Sequence, residues 1–171
     1  GSAARDRGAV RGREGHGGEP FHELGRAQLT DVEISGNSPA GGVRNCAFLT
    51  LMEGTVAGNT NLDSPRAAAG IRNDGLLEII DSSITNNDVV SGSGAGGGLF
   101  NVLTAVVRGT TFELNAGALG AAVYNLGTAL IENSTLSANL LGGAVRTSGN
   151  LHLFNSTVVD NPQGVELFGA Q

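Results

Sequence analysis

Leu136-Ser137-Ala138-Asn139, followed by Gly142-Gly143-Ala144-Val145, is the stretch that decides the fold of this 171-residue chain. An apolar residue three places before an asparagine, then a Gly/Ala step and an aliphatic residue, recurs throughout. The asparagines are Asn37, Asn59, Asn87, Asn115, Asn139 and Asn161. Three places before each stands Ile34, Val56, Ile84, Phe112, Leu136 or Val158. After the small residues come Val43, Ile71, Leu99, Val123, Val145 and Val165. One module is written six times.

Upstream of each asparagine lies an alternating pair: Ala27/Leu29, Leu49/Leu51, Leu77/Ile79, Ala105/Val107, Ala129/Ile131 and Leu151/Leu153. A period of two turns both members to one side of a strand. Between this strand and the next stands Asp31, Glu53, Asp81, Gly109, Asn133 or Asn155; Asp, Asn and Gly suit a bend because they tolerate unusual backbone angles. Each module thus reads as three short strands: the alternating pair, the segment before the asparagine, and a Val-Arg-Asn type segment. Asparagine spacings are 22, 28, 28, 24 and 22 residues. The extra length falls in one corner, at 61–69 and 89–97, which is how a solenoid absorbs insertions without disturbing its stack. The expectation is an all-β parallel β-helix of about six coils over residues 21–171, 22–28 residues per coil, belonging to a longer chain or assembly. Residues 1–20, rich in Arg and Gly, are expected to form a flexible or divergent N-terminal segment.

These residues resemble the right-handed parallel β-helix repeats of the pectin-lyase-like superfamily. The likeness is greatest to the repeats of large bacterial surface and secreted proteins, including polymorphic outer-membrane proteins. Their Gly-Gly-Ala-Ile type tetrapeptide is matched by Gly41-Gly42-Val43, Gly97-Gly98-Leu99 and Gly142-Gly143-Ala144-Val145. Their Phe-x-x-Asn type is matched by Phe112-Glu113-Leu114-Asn115. The resemblance implies the fold and leaves the function among enzymes, adhesins and structural stalks.

Composition agrees with a thin core. Glycine supplies 28 residues, aromatics only 4%, and there is neither Trp nor Lys. Residues 1–26 carry five Arg and four acids, and residues 27–171 five Arg and twelve acids, so the repeat body has a net charge of −7. An acidic body argues against nucleic acid as partner. The single Cys46 permits no internal disulfide, and beside Ala47 and Phe48 it reads as a small buried residue. No apolar stretch approaches the roughly 20 residues of a transmembrane helix. Residues 3–19 lack the apolar run of a signal peptide. An extracellular or cell-surface location is what the resemblance implies.

The six asparagines read as a structural ladder rather than as ligands. On coils about 4.8 Å apart, each amide can donate to the next coil and accept from the previous one. Replacing Asn115 with alanine is expected to cost about 1–3 kcal/mol if one buried partner is orphaned. A second set, Asn45, Asn73, Asn101 and Asn125, follows the same logic and is expected to stop at Thr147 and Leu167. The stacked acids Asp31, Glu53 and Asp81 offer oxygen ligands for calcium. Their row continues as Gly109, Asn133 and Asn155, which marks it as a row of bend formers, and neither a metal nor a cofactor is expected.

Two outward rows remain. One is Arg44, Arg72, Phe100, Tyr124 and Arg146, ending at Glu166. Arginines flanking aromatics suit an acidic sugar or a protein partner, against the plainer reading of a solvated face with cross-strand packing. The other is Thr55, Ser83, Thr111, Thr135 and Thr157, a hydroxyl array of the kind that orders water, interrupted by Glu33 and Glu113. The sequons at Asn133 and Asn155 follow from the repeat itself.

No catalytic residue is nominated. The three histidines are scattered, Asp31/Glu33 is the only close acid pair that suggests itself, and no nucleophile, base and orienter assemble. The expected function is a non-enzymatic structural, adhesive or interaction module contacting a protein or carbohydrate surface. A fragment of a polysaccharide lyase or hydrolase is the alternative reading. A third is a structural subunit packing end to end, or against a partner, through open solenoid ends.

Overall fold

In the computed structural model the chain winds as a parallel β-solenoid of about six coils, described over residues 2–11, 21–23, 25–62, 68–90 and 94–169. The first strands are the N-terminal half of Arg26–Ser35, then Phe48–Met52, Leu76–Ile80, Thr104–Arg108, Thr128–Glu132 and Asn150–Phe154. The second strands are the other half of Arg26–Ser35, then Thr55–Ala57, Ser83–Thr85, Thr111–Glu113, Thr135–Ser137 and Thr157–Val159. The unbroken strand Arg26–Ser35 joins these two sets into one sheet. A separate sheet is built from the third strands, Phe21–Glu23, Val43–Asn45, Ile71–Asn73, Leu99–Asn101, Val123–Asn125, Gly143–Thr147 and Gln163–Leu167.

The register stacks like positions on like. Ile34, Val56, Ile84, Phe112, Leu136 and Val158 form one inward column. Val43, Ile71, Leu99, Val123, Val145 and Val165 form another on the facing sheet. The first strands add the alternating pairs, and all but the last coil's members of these columns are buried. In the last coil Leu151, Leu153 and Val158 are half-buried and Val165 is exposed. A one-residue slip in any strand would move its apolar set to the outer face, so burial itself holds the register.

The asparagine ladder runs as its spacing predicts. The Nδ2 of Asn37, Asn59, Asn87, Asn115 and Asn139 donates to Oδ1 of the next asparagine at 2.7–3.0 Å. Their backbone N–H groups donate to the same oxygens at 2.9–3.2 Å. From Asn59 onward the amide also reaches back to a carbonyl of the preceding coil, those of Ile34, Val56, Ile84, Phe112 and Leu136, at 2.8–3.1 Å. The second ladder links Asn45, Asn73, Asn101 and Asn125 at 2.7 Å. It does not stop at Thr147: that hydroxyl accepts from Asn125 at 2.9 Å, because the ladder asks only for an acceptor at that point.

Three features were not foreseen. First, each of four coils carries a further two-residue strand after the ladder asparagine: Thr60–Asn61, Asp88–Val89, Ala116–Gly117 and Leu140–Leu141. The coil therefore has four strands rather than three in that corner. Second, Ser2–Arg11 pairs in parallel along the whole of Arg26–Ser35, although its composition shows no strand periodicity. Residues 12–20 of the expected N-terminal segment lie outside the described residues. Third, Cys46 is half-buried rather than inside, because it occupies the turn that follows the third strand.

Both bends of the coil use left-handed backbone. The row Asp31, Glu53, Asp81, Gly109, Asn133, Asn155 has φ between 45° and 59°. The residue before each ladder asparagine, Gly36, Gly58, Asn86, Leu114, Ala138 or Asp160, has φ between 51° and 65°. Leucine is a poor occupant of this region, which costs an L-residue roughly 1–2 kcal/mol, and Leu114 is exposed, so it recovers little by burial. Leu114→Asn, imitating Asn86, is expected to stabilise the fold by about 0.5–1 kcal/mol. The readout is a higher urea midpoint at unchanged slope.

Candidate functional site

Within the third strands the inward Val/Ile/Leu and the ladder asparagine are both buried, and the residue between them points outward. Pairing places Arg44 beside Arg72, Arg72 beside Phe100, Phe100 beside Tyr124, Tyr124 beside Arg146, and Arg146 beside Glu166. The row expected from the sequence is therefore one continuous strip across the coils. Its members are not equally accessible. Arg44 is exposed and Arg72, Tyr124 and Arg146 are half-buried, but Phe100 is 3% exposed.

Phe100 is covered although it points outward. The Arg72 guanidinium lies 5.3 Å from its ring centroid and the Tyr124 ring 5.3 Å away at 36°. Long side chains on a flat sheet lie down on their neighbours and bury apolar area, and guanidinium over a ring is also favoured electrostatically. Phe100 thus lies on the outward row, as expected, and is covered there by cross-strand packing.

The charges of the strip are largely matched internally. Arg72 meets Asp74 through two hydrogen bonds, Nε to Oδ2 at 2.8 Å and Nη2 to Oδ1 at 2.9 Å. The Nε of Arg44 lies 3.5 Å from the same carboxylate. At the other end Nη1 of Arg146 is 3.4 Å from Glu166, and its guanidinium sits 4.7 Å from the ring of Phe168. Phe168 in turn lies parallel to Tyr124, 5.7 Å between centroids. Asp74 and Phe168 complete the strip, and the sequence reading missed both. Asp74 stands two residues after Arg72, just past its strand, and Phe168 two residues after Glu166, so alternation along a strand is the signal that points to them.

The other candidate rows behave differently. Asp31, Glu53 and Asp81 stack on successive coils, all exposed. No group of three metal-binding side chains forms among the described residues. Thr55, Ser83, Thr111, Thr135 and Thr157 stand in register on the outer face of the second strands. The neighbouring hydroxyls Ser82, Thr110, Ser134 and Ser156 form a third ladder, accepting backbone N–H groups of Gly54, Ser82, Thr110 and Ser134 at 3.1–3.4 Å. On the first-strand face Arg108 bridges Glu78 at 3.4 Å and Glu132 at 3.1 Å, half-exposed pairs that contribute little to stability. His152 is exposed there, between the half-buried Leu151 and Leu153.

Among the described residues no helix is long and apolar enough to cross a membrane. A family model described as "Right handed beta helix region" matches residues 22–171. No curated protein and no solved structure shows a significant match to the chain.

Proposed function

Since the chain belongs to the right-handed beta helix family, we propose that it acts as a non-enzymatic structural and adhesive module, outside the cell or at its surface, whose partner contacts run along the Arg44–Arg146 strip. The observation that carries this reading is the pre-organisation of the strip. Two of its arginines, Arg72 and Arg146, are each held by a carboxylate and a ring. The strands beneath Arg72 and Arg146 are paired on both sides. Side chains already fixed lose little entropy on binding, and that cost otherwise consumes much of the gross interaction energy. The partner is a protein or carbohydrate surface. Binding at the solenoid ends is the lesser mode in this reading.

The test is a binding screen of the full chain against immobilised extracellular proteins and glycans, run beside an Arg44→Ala/Tyr124→Ala variant. At least one defined partner is expected to bind the parent and to lose about tenfold or more in affinity with the variant, the scale of one well-placed aromatic or arginine contact. Equal binding by parent and variant to every partner sinks the assignment of the strip. Incubation with polyuronates is expected to release no unsaturated products or reducing ends, and their appearance would favour the lyase or hydrolase reading.

A further inference from the structure

We infer that copies of this chain associate head to tail, the last coil of one receiving the N-terminal strands of the next, so that the solenoid continues across the joint. This surface is separate from the strip. In the last coil Leu151, Leu153 and Val158 are only half-buried and Val165 is exposed. Their counterparts one coil earlier, Ala129, Ile131, Leu136 and Val145, are wholly buried. Among the described residues Asn150–Phe154, Thr157–Val159 and Gln163–Leu167 are paired on one side only. The backbone N–H groups of Asn133, Ser134, Ala138 and Asn139 each donate one coil onward at 2.9–3.3 Å. Those of Asn155, Ser156, Asp160 and Asn161 meet no acceptor among the described residues. Proteins blunt an open edge with proline, charge or a bulge. Pro162 does so for the short fourth strand, standing where an N–H would otherwise reach the Asn139 carbonyl. The three longer edges contain no proline and, apart from Glu166, no Asp, Glu, Arg or Lys.

The opposite face carries the complement. Ser2–Arg11 and Phe21–Glu23 are the terminal strands there, parallel to and in register with the first full coil. Extending that register across a joint sets Ala3, Val10 and Phe21 beside Leu151, Val158 and Val165 of the other copy. The carbonyls of Asp6 and Arg11 then take the positions that accept from the N–H groups of Asn155 and Asp160. Charge matches as well. Ser2–Arg11 holds three arginines and one aspartate, whereas the coil from Asn150 onward holds Asp160 and Glu166 and neither Arg nor Lys. The same register brings Arg11 next to the Asp160 bend and His22 next to Glu166. Opposite charges across an interface fix its register and suppress wrong partners. A tail-to-tail pair brings two acidic coils together, and it sets antiparallel strands against each other, although every strand pair in the solenoid is parallel. One position is mismatched: Arg5 falls at the register of Leu29, opposite Leu153.

The experiment is sedimentation velocity of the full chain over a wide concentration series. Heterologous joints that do not close give open-ended stacks, so the weight-average mass is expected to climb past that of a dimer as concentration rises. Asp160→Lys and Arg11→Glu are each expected to weaken association about tenfold. An equimolar mixture of the two variants is expected to recover it, because every joint between unlike copies again pairs opposite charges. Arg5→Leu, which removes the mismatch, is expected to tighten association. Circular dichroism melts of each variant separate a lost joint from a lost fold. A monomer at every concentration overturns the inference. A mass that stops at the dimer overturns it equally, since a closed pair is not head to tail. Association that the single charge reversals leave unchanged, or that mixing does not recover, overturns the placing of the joint. The strip is judged separately, by the binding screen above.

Discussion

Phe112→Ala is expected to lower the unfolding free energy by about 3–5 kcal/mol, the cost of truncating a fully buried aromatic side chain. Phe112 is the largest of the wholly buried side chains. It stands in the inward column between Ile84 and Leu136. Its ring also fills the space where Gly98 has no side chain: a Cβ built there comes within 2.9 Å of Cδ1. The neighbouring coils hold smaller residues at this position, and their backbones are pinned by two ladders, so the cavity collapses poorly. Urea denaturation checks the value through the midpoint. A loss of less than about 1 kcal/mol, the range of a repacked conservative swap, would mean that the coils close over the gap.

Asn115→Ala is expected to cost about as much, roughly 3–5 kcal/mol, above the one-partner figure that spacing alone suggests. Asn115 donates to Asn139 at 3.0 Å and to the Ile84 carbonyl at 2.8 Å. It accepts from the amide and the backbone N–H of Asn87 at 2.9 and 3.1 Å. Removing it strands the two buried Asn87 donors and takes the amide from the Ile84 carbonyl, all in the preceding coil, while Asn139 Oδ1 keeps the backbone N–H of residue 115 at 3.1 Å. Asn37 is the control. It donates to Asn59 at 2.7 Å and to the Ser35 carbonyl at 3.4 Å, and among the described residues no earlier asparagine donates to it. Asn37→Ala is therefore expected to cost about 1–2 kcal/mol, near the worth of one or two hydrogen bonds. Equal losses at the two positions would show that the ladder does not act as a connected network.

The parts of this fold legible in the sequence are those repeated with one residue type. The inward columns show a period of two within a strand and a period of one coil along the chain, and both ladders are mostly asparagine. The hidden parts are positions where the demand is on backbone or on a single atom. The bend before the ladder accepts glycine, Asn86, Leu114, Ala138 and Asp160, so no residue type marks it. The hydroxyl ladder begins with Val32 and Gly54 in place of an acceptor and reads as noise beside the threonines. Two-residue strands such as Asp88–Val89 are too short to alternate. For the candidate strip the strand order predicted five of its members, including Tyr124. Its charge balance was illegible because Asp74 pairs with Arg72 and Arg44 across a turn and a coil boundary. The covering of Phe100 is not legible in the sequence, because the Arg72 and Tyr124 side chains packed on it come from the flanking coils.

The one-way direction of the amide ladder makes the solenoid a ruler. Each coil passes its donors to the next and receives them from the last, so every internal coil has the same two faces and can be followed by any other of its kind. Coil number then sets distance: the first and sixth coils stand roughly 24 Å apart at the inter-strand spacing, and one added repeat lengthens that by a single step. Reach and recognition are separable in such a design. A lineage can lengthen the rod by duplicating a repeat, and alter what it touches by changing the residue between each inward aliphatic and its ladder asparagine.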